Sequence, residues 1–121
     1  MTHAPALTAV LADHIAAVNA FDEDAIVATF ASDALVNDAH REFRGIDAIR
    51  CWVAREMAGD KVTMEVLDVV SHYDTTIVRA RYHGEYDKTN LPAELIMSNY
   101  FTIRDGKIVS LFVIRNTPAG Y

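Results

Sequence analysis

Apolar positions in the first third of the chain recur at intervals of three and four. Leu7, Leu11, His14, Val18 and Phe21, with Val10 and Ala17 alongside, fall on one stripe of a helix. Pro5 suits the first turn, where a missing N–H costs nothing. Asn19-Ala20-Phe21-Asp22 breaks the pattern, and Asp22 is a good N-cap for a second helix with Glu23 and Asp24 in its first turn. Ile26, Val27 and Phe30 give that helix its apolar side, and it is expected to end at Ser32-Asp33. A short strand at 34–38 and a hairpin partner at 41–43 follow. Gly45 turns the chain into a third helix, where Ile49, Trp52, Val53 and Met57 keep helical spacing up to Gly59, a natural stop.

From Lys61 the period changes to two. Val62, Met64 and Val66 alternate with Thr63 and Glu65. A turn near His72-Tyr73-Asp74 leads to a strand at 76–86, in which Thr76, Val78, Ala80 and Tyr82 oppose Ile77, Arg79, Arg81 and His83. A loop at 87–92 precedes a strand at 94–104. Asp105-Gly106 is a tight-turn signal, the strand 107–115 follows, and residues 116–121 read as irregular. Helices first and long antiparallel strands afterwards predict an α+β architecture in which a twisted sheet curls over the helices and leaves a hollow.

The 121 residues fit a single domain, 1–121. An apolar fraction of 51% with 23% charged residues is globular composition. Asp and Glu outnumber Lys and Arg by 17 to 11, for a net charge of −6, which argues against nucleic-acid binding. Cys51 stands alone, so an internal disulfide is excluded and a reducing compartment is compatible. Met1-Thr2-His3-Ala4-Pro5 lacks the basic start and apolar run of a secretory signal. No stretch approaches the roughly 20 apolar residues of a membrane helix. A cytoplasmic protein with no membrane partner is expected. The histidines show no HxH or HExxH pair, so no metal is expected, and no glycine-rich phosphate loop points to a nucleotide cofactor.

Three polar residues fall where apolar ones belong. Asp38 has the phase of Val36; facing inward it would lose hydration and hold its proton more tightly, as a general base near neutral pH requires. Alternatively it is a solvated aspartate of the turn Asn37-Asp38-Ala39-His40. His14 lies on the apolar stripe of the first helix, either as a core histidine with one nitrogen satisfied or as a donor to an oxyanion. Asn99 shares phase with Leu95, Met97, Phe101 and Ile103. Its amide either bonds a neighbouring strand or donates to a developing oxyanion.

Ala17-Val18-Asn19-Ala20-Phe21-Asp22, the run Ile26 to Ala34, Asp38 to Gly45, and the ending Phe101 to Val109 together resemble the NTF2-like superfamily. The spacing is most similar to its ketosteroid isomerases and SnoaL-like polyketide cyclases. The resemblance implies a cone-shaped, curved antiparallel sheet wrapped around N-terminal helices, the cystatin-like roll. It places the family's catalytic base on Asp38, the isomerase's protonated acid on Asn99 and its oxyanion-hole tyrosine on His14. Tyr-to-His and Asp-to-Asn keep donors but change their acidity, which points away from steroid isomerisation itself. The expected activity is cofactor-free proton abstraction beside a carbonyl, as isomerisation or aldol-type cyclisation, with Asp38, His14 and Asn99 as the catalytic set. Val18, Phe30, Trp52, Met97, Phe101 and Phe112 are expected to contact a small hydrophobic substrate. Two alternatives stand beside it: a non-catalytic binding or dimerisation module, and a hydro-lyase pairing Asp38 with His40, His72 or His83. The outer face of the sheet, with Tyr100, Phe112 or Ile114, is expected to form a homodimer.

Overall fold

The helical stripe at the start of the chain becomes α1, Ala9–Asn19, which buries Leu11, His14, Ile15, Ala17 and Val18. The computed structural model describes residues 7–89 and 91–116, so the expectations for Pro5 and for 117–121 lie outside the described residues. α2, Glu23–Ala28, is capped by the Asp22 carboxylate, which accepts from the Ala25 N–H at 3.1 Å. It is shorter than its sequence predicts. The Thr29 hydroxyl donates to Ile26 O at 2.6 Å and closes the last turn. Phe30 then opens β1, Phe30–Asp38, instead of extending the helix. Pairing with the last strand of the sheet overrides local helix preference here: Phe30 lies opposite Ile108, whose N–H reaches Thr29 O at 2.9 Å.

β2, Arg41–Arg44, returns antiparallel to β1, so Asp38 faces Arg41 across the turn. Gly45, at φ +85°, leads into α3, Ile46–Trp52. A π-helical turn, Val53–Met57, continues it, marked by the Ala58 N–H reaching Val53 O at 2.8 Å. Gly59 ends it because a side chain would fall on the carbonyl oxygens of Ala54 and Arg55, inside van der Waals contact. Gly59→Ala is therefore expected to cost about 1–3 kcal/mol, read as a lowered melting temperature. An unchanged melt would mean the helix end yields freely.

Four long strands follow: β3, Thr63–His72; β4, Thr75–His83; β5, Leu95–Arg104; and β6, Lys107–Arg115. The strand expected to run to residue 86 stops at His83. The sheet order is β2-β1-β6-β5-β4-β3. Neighbouring strands are antiparallel except β1 and β6, which run parallel, so the curved sheet carries one parallel seam. Its inner face buries Ala34, Val36, Val78, Ala80, Phe101 and Leu111 against Ile49, Trp52 and Val53. This inside-outside phase matches the period-two pattern, with Arg79 and Arg81 in the opposite phase to Val78 and Ala80. Phe112 and Ile114 remain 40% and 53% exposed on the outer side. Among the described residues, no helix is long and apolar enough to cross a membrane.

Candidate functional site

Asp38 ends β1 two positions beyond the fully buried Val36, so strand alternation turns its side chain to the inner face. The side chain is 19% exposed. The Trp52 indole N–H donates to Oδ2 at 3.1 Å, and an Arg41 guanidinium nitrogen lies 3.4 Å from the same oxygen. Burial pushes the carboxyl above its ordinary pKa. The Trp52 hydrogen bond and the Arg41 charge oppose that shift, and the nearby Glu56 charge adds to it.

The carboxyl lines a hollow of about 140 Å³. Met57, Val62, Leu95 and Met97 supply its apolar wall, Tyr82 and Tyr86 its rings, and Glu56 and Asp60 two further carboxyl groups. A second hollow of about 720 Å³ shares Leu95 and Met97 with it and opens past His40, Phe112 and Ile114. Tyr82, on β4 in phase with Val78 and Ala80, brings the wall a phenol. That hydroxyl donates to Asn99 Oδ1 at 2.5 Å. Burial, with Asp38 nearby, raises the phenol above its usual range. The Asn99 amide donates to Val78 O at 3.0 Å and Met97 O at 3.4 Å. Both of its donor hydrogens are thus committed to backbone, and Asn99 meets the site through Tyr82.

His14 has a different setting. Its ring stands edge-on to Phe30 and Phe101, with centroids 5.5 and 5.3 Å away. Nδ1 lies 2.9 Å from Thr29 Oγ1. The Thr29 proton already goes to Ile26 O, so His14 Nδ1 must carry the hydrogen and donate it. Burial lowers the imidazole to about 4, so it is neutral at pH 7. Neither His14 nor Asn99 is among the residues that line the hollow beside Asp38.

The expected substrate contacts divide in the same way. Val18, Phe30 and Phe101 are buried core residues. Trp52 is buried too, and its polar edge is turned to Asp38. Met97 stands on the wall shared by the two hollows, and Phe112 belongs to the larger one only. His40 also lines the larger hollow; His72 packs edge-on against Tyr73, and His83 lies 3.4 Å from Glu65 on the surface. None of these three histidines lines the Asp38 hollow. Among the described residues no group of three His, Cys, Asp or Glu side chains could hold a metal ion.

Sequence reasoning missed Glu56, Asp60 and Tyr86 as neighbours of Asp38. Tyr82 had a usable signal, the inward phase of its strand. Glu56 had one too: seven residues past Ile49 and four past Trp52, it falls on the helical stripe that buries Ile49, Trp52, Val53 and Met57.

Solved structures with this architecture are numerous. One is a candidate polyketide cyclase from Sinorhizobium meliloti, 28% identical, with 88% of this chain and 94% of that one aligned at a TM-score of 0.79. Another is a protein of ketosteroid isomerase-like fold from Catenulispora acidiphila, in complex with trimethylamine. It is 20% identical over 89% of this chain and 85% of that one, at a TM-score of 0.76. A cystatin-fold protein from Novosphingobium aromaticivorans is 21% identical over 88% of this chain and 95% of that one, at a TM-score of 0.74. At 20% and 21% identity the last two establish the shared fold alone. No curated protein sequence matches the chain. The model of the SnoaL-like domain family matches residues 11–111. With a curved six-stranded sheet and three α-helices among the described residues, the chain belongs to the SnoaL-like family and has the NTF2-like fold.

Proposed function

We propose that the protein is a cofactor-free enzyme in which Asp38 removes a proton from the carbon beside a carbonyl group of a small, largely apolar compound. The observation that carries this reading is a partly desolvated carboxylate on the inner face of the sheet, fixed by the Trp52 indole at the wall of an apolar-sided hollow. The C–H electron pair passes to the carbonyl oxygen as the bond breaks, and Asp38 becomes the neutral acid. Return of that proton to another carbon completes an isomerisation. Attack of the enolate carbon on a second carbonyl, whose oxygen takes the proton back from Asp38, completes an aldol-type cyclisation. The Sinorhizobium meliloti relative supports the cyclase arm.

The enolate oxygen needs a hydrogen-bond donor. His14 gives its N–H to Thr29 and Asn99 gives its amide hydrogens to backbone, so we assign the task to the Tyr82 hydroxyl, whose proton turns from Asn99 to the substrate. The working set is then Asp38 as base and Tyr82 as donor, with Asn99 positioning Tyr82. The hydro-lyase alternative needs a histidine at the Asp38 carboxyl, and none of His40, His72 and His83 lines its hollow.

The test is deuterium uptake from D2O into a panel of small cyclic and aryl-substituted ketones, followed by NMR. The wild-type protein is expected to catalyse uptake at the carbon beside the carbonyl, and Asp38→Asn is not. Uptake that survives unchanged in Asp38→Asn would sink Asp38 as the base, and wild-type uptake no faster than without protein would favour a non-catalytic binding module.

We also propose a homodimer through the outer face, because Phe112 and Ile114 stay exposed there beside one another on β6. Sedimentation is expected to show a dimer that dissociates on dilution, and Ile114→Glu is expected to shift it to monomer. A wild-type chain that remains monomeric at every concentration would remove this proposal.

A further inference from the structure

We propose that Arg41 and Glu56 form a positioning clasp for Asp38, in which the guanidinium, anchored on Glu56, closes the turn after β1 and sets how readily Asp38 takes up a proton. The proposal rests on the reading of Asp38 as the working base.

The geometry is unequal in a telling way. Arg41 makes a two-pronged contact with Glu56, at 2.8 and 2.7 Å, but stands 3.4 Å from Asp38 Oδ2. The guanidinium charge is therefore spent mainly on Glu56, and Asp38 is left only partly compensated. Arg41 Nε also donates to Asp38 O at 3.2 Å, bridging the turn from its far side. That turn needs a brace: Ala39 and His40, both non-glycine, take φ of +54° and +66°. Phe43 completes the assembly. The Arg41 guanidinium lies 5.5 Å from its ring centre, and the ring packs 6.0 Å from Trp52, the residue that donates to Asp38. Both groups that touch the Asp38 carboxylate are thus supported by one aromatic ring.

The groups facing Asp38 are few. They are Arg41 from β2, the Trp52 indole from α3, Glu56 from the π-helical turn and Tyr82 from β4, with Asp60 and Tyr86 farther along the same wall. His40 lies two residues on, at the exposed turn. Arg41 is the cation of this set and Glu56 holds it back, so the two residues should act on Asp38 in opposite senses.

The test is a carbon-13 NMR titration of the Asp38 carboxyl in the full chain without substrate, for wild type, Arg41→Met and Glu56→Gln. Arg41→Met keeps the stem on Phe43 but removes the charge, and the Asp38 midpoint is expected to rise. Glu56→Gln keeps the shape but releases the guanidinium to Asp38, and the midpoint is expected to fall. A clasp that merely tethers the hairpin to the helix would, once broken, admit water and lower the midpoint in both variants. An Arg41→Met midpoint that falls or stays put, or a Glu56→Gln midpoint that rises or stays put, overturns the proposal. Because no substrate is present, that failure is separate from any failure of ketone exchange.

Discussion

Replacing Asp38 by asparagine is expected to slow proton exchange at the substrate carbon by about 10²- to 10⁴-fold, the usual contribution of a positioned general base. The variant should remain folded. Asparagine has the same shape and keeps an oxygen for the Trp52 N–H, so no buried donor is orphaned. The sign of the stability change at neutral pH also follows. A carboxyl whose folded pKa is raised favours the fold fully below its unfolded value, and that contribution is lost as pH rises through the folded value. At pH 7 the charged Asp38 is therefore no asset to stability, and its neutral replacement should melt at the wild-type temperature or slightly above it. Loss of exchange with an intact melt separates the chemistry from the scaffold. Alanine would confuse the two, because it strands the indole N–H in a buried position.

Acidification is expected to destabilise the protein by about 3 kcal/mol through His14 alone, from the gap between its ordinary 6.5 and about 4 in the fold. The imidazole is neutral and enclosed in the folded state but free to take a proton in the unfolded chain. Its contribution is complete above pH 6.5, declines as pH falls and levels off near pH 4. Other groups titrate over the same range, so the measurement is a difference: urea midpoints of wild type against His14→Leu from pH 7 to pH 4. Leucine leaves the Thr29 hydroxyl bonded to Ile26 O and costs Thr29 Oγ1 only the hydrogen bond it accepts from His14. The gap between the two proteins should narrow or reverse toward the leucine variant as pH falls. Parallel curves would show that His14 takes up its proton in the fold as easily as in water.

What the sequence revealed and what it hid divide along a physical line. Period and phase are local, so α1, the Asp22 cap, the alternation of β4 and β5, and the inward phase of Asp38 were all legible. Partners are not local. The side-chain inventory says that His14 and Asn99 can donate, but not that Thr29 Oγ1 and the Val78 carbonyl take those hydrogens. The parallel pairing of β1 with β6 joins segments separated by most of the chain, and it shortened α2 against its own helical pattern. The direction of Glu56 was readable from its place on the stripe of Ile49, Trp52, Val53 and Met57, but its pairing with Arg41 of the β1–β2 hairpin was not.

Everything proposed for Asp38 depends on its carboxylate being short of water when it carries charge. A titration of that one carbon in the wild-type protein measures this without any substrate. A midpoint clearly above the ordinary aspartate value of 3.8 is the expected result. A midpoint at or below that value would mean a well-hydrated or fully neutralised carboxylate, and Asp38 would then be no base at all.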